Sequence, residues 1–527
     1  MKKIFLIFVL YAAALSAQSE QKSIELPDFV ITGRQSVDLP TAQKKKPELI
    51  STISKDFLLP QYSPDELPLL ISSLPVPSQP GIFTNDYFDG SVKVGIGNYT
   101  FPTGTFHLSK SFGYYVVAAD AWGKNIKEYV TNSGYNTSGI SLDNVLFIST
   151  KSGFLPGTVI KLNGNYVRDA YKFYGSNSPA FERKTQKGFG NFSITNNYNR
   201  WFDFAAGFGL NTLSFDEPGL KERMINANML LDFKLNGFVF GGKGEYHKQI
   251  LDNNFNIKNN YDFYTTEGFV KADFNNNLFF RGGIFYAANG NTNLFAPFAS
   301  AQFEIQKGLT LSAEYKPHAV NYTYGDMLKK NLYLNPAFTD NVFERYKAEF
   351  NASIKYEYYK YFSISLSGSY SKVDDYLYFE DNINKGIFEI QTAQDVDNFY
   401  TSLDLLFHPA QLGYFYGVVK YGSVKNNNSY YIPYEPRIFS SLIYGYDFDF
   451  GLELKMKFDY ADEIFSDIKN TNKLNDYQNL AFGLSYKLWE SLSFTADFQN
   501  ILNRSNFALK GYEEKPFDII IGAEYRW

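Results

Sequence analysis

The sequence predicts an all-β chain that closes into a transmembrane antiparallel β-barrel of about 22 strands (roughly 18–22, depending on where boundaries are drawn), preceded by a Pro-rich arm. Three observations predict it. Long stretches alternate apolar and polar residues with strict period two, the mark of a two-faced strand. These stretches continue from Asp89 to the end with no helical interlude. The chain also ends on Phe517-Asp-Ile-Ile-Ile-Gly-Ala-Glu-Tyr-Arg-Trp527, a strand closed by an aromatic residue. In a membrane barrel the apolar face of such a strand meets lipid, the polar face meets a wet lumen, and terminal aromatics sit at the headgroups.

The elements follow in order. Residues 1–17 combine a basic tip (Lys2-Lys3), an uncharged apolar run from Ile4 to Ala14 and small residues ending at Ala17. This is a secretory signal with cleavage near Ala17; the run is shorter than the ~20 residues a spanning helix needs. Residues 18–88 hold Pro27, Pro40, Pro47, Pro60, Pro64, Pro68, Pro75, Pro77 and Pro80, a density that blocks helix and sheet alike. They read as an extended periplasmic or lumenal arm, with one helical turn near Ser63–Ile71.

Residues 89–527 read as the barrel. Phe202, Phe204, Ala206, Phe208 and Leu210 share one strand face. So do Phe362, Ile364, Leu366 and Tyr370, with serines between them. Leu452, Leu454, Met456, Phe458 and Tyr460 alternate with Glu453, Lys455, Lys457 and Asp459. Leu480–Leu488 and Leu492–Phe498 repeat the theme. Such strands are longer than the five or six residues usual in globular sheets. Tyr358–Tyr361 and Lys487–Ser491 read as tight turns. Asp252–Tyr261, Pro317–Asn341 and Ser466–Asp476 read as long loops. Short turns at one end and long loops at the other suit an outer-membrane barrel.

Composition excludes several classes. With no cysteine there is no disulfide framework and no thiolate metal site. The net charge of −5, made more negative by loss of Lys2 and Lys3, comes with no basic block and argues against nucleic acid. His107, His247, His318 and His408 lie far apart without metal-ligand spacing, so no metal or other cofactor is expected. Asp374-Asp375 reads as a loop-capping pair rather than a calcium site. There is no G-x-S-x-G, and no enzyme is expected.

Other residues carry positional expectations. Glu453, Lys455, Lys457, Asp459, Lys487, Asp497, Glu524 and Arg526 point inward, and their mixed signs suggest a cross-strand ion-pair lattice. Tyr358, Tyr359, Tyr361, Trp489, Tyr525 and Trp527 suit an interfacial girdle. Tyr525 and Trp527 form the expected assembly signal for the barrel-insertion machinery. Tyr322, Tyr324, Tyr430 and Tyr431, on loops, are candidates for a binding surface at the outer face.

Several segments then carry a family resemblance. Gly90–Asn98 followed by Gly104–Lys110 looks like a first barrel hairpin. Leu332-Tyr-Leu-Asn-Pro336 precedes a long strand from Glu344. Tyr370-Ser-Lys-Val-Asp-Asp-Tyr-Leu-Tyr-Phe379 matches a D-D-x-I-Y pattern, Tyr434-Glu-Pro436 precedes a late strand, and Asp497–Arg504 with Gly511-Tyr512 leads into the final strand. In this order they resemble the barrel of TonB-dependent outer-membrane receptors. The resemblance implies solute capture or passage at the outer membrane. The family's plug has about 150 residues, whereas only the Pro-rich residues 18–88 precede the barrel here, so a complete plug is not expected. Asp28, Phe29, Val30, Ile31, Thr32 and Gly33 resemble the segment such receptors offer to TonB; as a β-branched run they also read as an ordinary piece of an extended arm. A non-transporting barrel whose arm docks a periplasmic or lipoprotein partner is the alternative.

Overall fold

A computed structural model describes residues 89–527, apart from 217–218, 254–257, 275–276, 291, 337–341, 360, 382–384 and 409–412. Residues 1–88, on which the expected leader, arm and TonB-like segment 28–33 fall, lie outside the described residues.

Alternation along each strand sorts side chains to two faces, and pairing of sequence neighbours wraps those faces into a closed sheet. Gly90–Gly97 pairs with Thr100–Phe112, and antiparallel neighbours follow in order around the sheet. Asp518–Arg526 then pairs back onto Gly90–Gly97, with Val94 opposite Ala523 and Gly97 opposite Ile520. The expected pairing of first and last strands is therefore present. Leu309–Tyr315 and His318–Tyr322 both pair with Val342–Tyr358. They are two halves of one stave, broken where Pro317 can give no ladder hydrogen bond. The 23 strands of the sheet thus make a 22-stave antiparallel barrel.

The outward face is a lipid surface. Val94, Leu366, Phe494 and Ile521 are all about half exposed or more, with Ile521 at 61%. On the same strand as Ile521 the inward Asp518 is 0% exposed. Both chain ends of the barrel lie at one end, where connections such as Gly113-Tyr114, Asn236-Gly237 and Glu490-Ser491 are short. Exposed Tyr114, Trp201, Tyr359, Phe450, Trp489 and Trp527 ring that end as an aromatic belt. The longer connections, including 173–181, 323–341, 375–395, 463–476 and 500–517, lie at the opposite end, which is the extracellular one in barrels of this plan.

Two expectations are corrected. The loop expected at Asp252–Tyr261 is mostly strand, since Phe238–Asn253 and Lys258–Phe274 extend into it. Tyr370–Phe379 is not one continuous strand. The chain leaves the wall at Asp375, whose φ is +58°, and Tyr376–Glu380 pairs with Glu389–Ala393 in a separate hairpin.

The seam between first and last strands is pinned at both ends. At the turn end Gly90 and Trp527 exchange backbone hydrogen bonds of 3.1 and 3.0 Å. Any side chain at Gly90 would fall inside the Trp527 indole. At the outer end the buried Asp518 accepts from the Tyr99 amide (3.0 Å), the Thr100 amide (3.2 Å) and the Thr100 hydroxyl (2.7 Å). It also pairs with buried Lys515 at 2.9 Å.

Candidate functional site: a packed cap at the outer mouth

A loop that only linked strands would keep its apolar side chains few and exposed. Here the outer connections carry aromatic and aliphatic residues that bury one another. Tyr171, Phe173, Tyr324, Met327, Leu328, Tyr333, Leu334, Leu377, Phe379, Phe388, Tyr434, Leu509 and Tyr512 form one buried cluster. These residues come from most of the long connections, so the loops share a single hydrophobic core across the outer end of the barrel.

Three additional elements build this cap. Tyr324–Lys330 is a short helix, α1, with Thr323 as N-cap and a reciprocal Thr323–Asp326 capping box. Thr323 followed three residues later by Asp326 is the helix-start signal within the stretch 317–341 that otherwise reads as loop. The Tyr376–Glu380 and Glu389–Ala393 hairpin is the second element. The third is the small pairing of Phe507–Leu509 with Tyr512–Glu513.

The elements meet at one point. Tyr333 stacks on Tyr512 with ring centroids 3.5 Å apart and planes 16° apart. The Tyr512 hydroxyl donates to the Gly386 carbonyl at 2.5 Å. Leu334 bridges to Phe388, with the Asn335 amide donating to the Phe388 carbonyl (2.6 Å) and the Phe388 amide to the Tyr333 carbonyl (3.1 Å). Gly175, Gly386 and Gly511 touch backbone to backbone here. A methyl group on Gly386 would overlap the Gly175 carbonyl, and one on Gly175 would overlap the Gly511 carbonyl. Gly386 and Gly511 also have φ of +69° and +87°, which side chains disfavour. Tyr129 and Tyr174 both donate to the Glu513 carbonyl, at 3.0 and 2.6 Å. Burial among the other rings holds the Tyr333 phenol well above its ordinary pKa, so it stays a neutral packing group.

Two buried charges tie the cap to the wall. Arg183, 1% exposed at the outer start of Glu182–Asn196, donates to the carbonyls of Leu332 (3.2 Å) and Leu334 (2.9 Å). Its guanidinium lies 4.5 and 5.0 Å from the Phe173 and Phe215 ring centroids. Glu222, 4% exposed at the outer start of Leu220–Leu235, accepts from the first amides of α1, Tyr324 (2.9 Å) and Gly325 (3.2 Å), and from Gln249 (2.6 Å).

The expected site residues fall into this frame as follows. Tyr324 is 2% exposed and belongs to the cap core, so it is not a surface group; its ring was needed to fill the cap. Tyr322 is half-buried, with its hydroxyl 3.3 Å from Glu344. Tyr431 stacks on Phe465 at 5.7 Å with Lys425 and Arg437 over its ring, while Tyr430 is 45% exposed. Tyr525 faces lipid and Trp527 closes the seam. Among the late-strand charges, Glu453–Lys455 (2.6 Å), Lys457–Asp459 (2.7 Å) and Glu524–Arg526 (2.7 Å) pair along their own strands, two residues apart. Lys487 lies exposed near a turn, and Asp497 sits beside Gly483. Pairs that do cross strands occur on earlier staves: Asp169–Lys187 (3.0 Å), Asp232–Lys271 (2.8 Å) and Glu267–Arg281 (2.7 Å). Asp169–Lys187 is a diagonal pair within one ladder, whereas Asp232–Lys271 reaches across the intervening strand Phe238–Asn253 and Glu267–Arg281 is offset four residues along its ladder.

No trio of His, Asp or Glu gathers as a metal site among the described residues. His107 pairs with Asp120 at 2.6 Å and His318 with Glu349 at 2.8 Å. Arg345 reaches Asp375 at 2.9 Å and Lys347 reaches Asp374 at 2.9 Å, so the acidic pair is held by cations.

The lipid face, the even stave number and the loop asymmetry define an outer-membrane barrel. No protein-family model and no curated protein sequence matches the chain. Solved structures do match in fold. The FrpB iron transporter from Neisseria meningitidis superposes with a TM-score of 0.63 at 12% identity, over 84% of this chain and 81% of that one. The ferric-catecholate import receptor Fiu from E. coli K12 gives 0.61 at 10% identity, over 84% and 82%. The copper transporter OprC gives 0.63 at 10% identity, over 83% and 80%. The chain therefore has the barrel fold of TonB-dependent receptors.

Proposed function

We propose that this protein is a receptor-like barrel for solute uptake across the outer membrane, closed at its outer mouth by the packed loop cap. The observation that carries the reading is the combination of a 22-stave wall with a cap whose core is continuous across most long loops. A barrel of this width encloses a lumen that must be filled or must conduct. A barrel that served only as an anchor would need neither the width nor the seal. The fold neighbours, an iron transporter, a ferric-catecholate import receptor and a copper transporter, support uptake as the class of function. In this reading residues 18–88 are a reduced plug or arm, and residues 28–33 offer an extended strand to TonB.

Conductance in planar bilayers tests it. The full-length protein is expected to conduct little. Variants with the cap loosened are expected to conduct, most strongly when residues 18–88 are deleted as well. If no such variant conducts, passage fails and the partner-docking barrel is the better account. Crosslinking from Val30 to a TonB C-terminal domain checks the coupling. Its absence, with uptake indifferent to the proton gradient, removes TonB from the scheme.

Tyr525 and Trp527 are proposed as the assembly signal. Deleting Trp527 removes the Gly90 backbone pair as well as the terminal aromatic. The expected result is loss of most of the heat-modifiable folded species in membranes. Normal insertion of the deletion variant would overturn that role.

A further inference from the structure

We infer that residues 323–336 are the moving part of the cap, a gate held shut by an electrostatic latch made of Glu222 and Arg183. The inference rests on the uptake reading above and adds how the mouth opens. The segment runs from the N-cap Thr323 through α1 to Pro336. Glu222 takes its amide end, and Arg183 takes its carbonyl end. The acid thus sits at the positive pole of α1, and the base sits on carbonyls beyond its other end. Both anchors stand on the rigid wall, and both bond to backbone.

Neither anchor is neutralised in the usual way. Among the described residues no carboxylate forms an ion pair with Arg183 and no cation forms one with Glu222. The buried Arg183 Nε has no hydrogen-bond partner there. A lid meant to stay shut gains nothing from isolated buried ions, because neutral groups of similar shape would hold it without the desolvation penalty. Once the segment lifts, water replaces the backbone dipoles on both ions and recovers that penalty. The closed state is therefore held by local contacts yet kept close in free energy to an open, hydrated one. Besides the side chains it buries in the cap core, the segment is held by the Tyr333–Tyr512 stack, the Leu334–Phe388 bridge and the Tyr171 hydroxyl donating to the Leu332 carbonyl (2.8 Å).

The experiment uses the full chain in planar bilayers. Because the protein has no cysteine, Leu334→Cys with Phe388→Cys introduces one crosslinkable pair across the gate. Oxidation is expected to hold the mouth closed, and reduction of the same molecules to restore opening; equal conductance in both redox states overturns the gate. Glu222→Gln and Arg183→Met are expected to raise open probability at least several-fold while the barrel keeps its heat-modifiable mobility, with Arg183→Lys intermediate. Wild-type open probability in all three folded variants overturns the latch. If these variants stay shut while a cap-opened Gly386→Val protein conducts, the latch is wrong and passage stands. If Gly386→Val is silent as well, passage itself fails and the latch with it.

Discussion

Asp518→Ala is expected to lower barrel stability by about 3–5 kcal/mol, the usual cost of breaking a buried ion pair from one side. Asp518 is the point where four groups converge: two amides and a hydroxyl from Tyr99 and Thr100, where the first turn enters the second strand, and Lys515 from the last connection. The Lys515 and Asp518 side chains are 4% and 0% exposed, so removing the carboxylate strips a buried ammonium of this counter-charge. The seam is the one ladder that joins chain ends, and no covalent turn holds it. Heat-modifiable electrophoresis against temperature reads the loss directly. Thr100→Val removes the hydroxyl's bonds to both Asp518 and Lys515 and should cost about 1.5–3 kcal/mol. Asp518→Ala with Lys515→Met should recover much of the deficit, because no buried charge is then stranded. An unchanged unfolding temperature for Asp518→Ala would show that the seam does not depend on this pair.

Gly386→Val is expected to open the mouth while leaving the barrel intact. The new side chain meets the Gly175 backbone at a position with φ of +69°. The backbone strain is about 1–3 kcal/mol and the overpacking a similar amount. A shift of roughly 3 kcal/mol changes a closed-to-open ratio by about a hundredfold. Conductance should therefore rise steeply, and outer loops should become protease-sensitive, with no change in barrel melting. Retained low conductance with protected loops would mean that the glycine contact is not what seals the cap.

The wall was legible in the sequence because each lipid-facing strand carries its own period-two signature. Leu366, Phe494 and Ile521 could be assigned to the outer face one strand at a time, and the pairing of Gly90–Gly97 with the last strand followed from closure. The cap was not legible in that way. Gly175, Gly386 and Gly511 come together from remote connections, and nothing local marks them as partners. Tyr324 looked like a loop aromatic awaiting a ligand because its burial belongs to a shared cap core, whose members Leu377 and Tyr512 arrive from other loops. Tyr376–Glu380 is an apolar, β-prone run that reads on from the strand before it; at Asp375, with its positive φ, the chain turns into the cap instead. Arg183 and Glu222 each occupy an ordinary strand position, and only the fold shows that both ions bind one segment of backbone.

Tyr512 lies three residues before Lys515, in the last connection to be synthesised. The ring that Tyr333 stacks on, and the backbone that Gly175 rests against, therefore enter the membrane together with the closing stave. During biogenesis the mouth has no route to a seal before the cylinder is nearly complete. A chain cut short of the closing stave would lack the seal of its mouth along with the seam of its wall, so completing the cylinder and shutting the pore are one event.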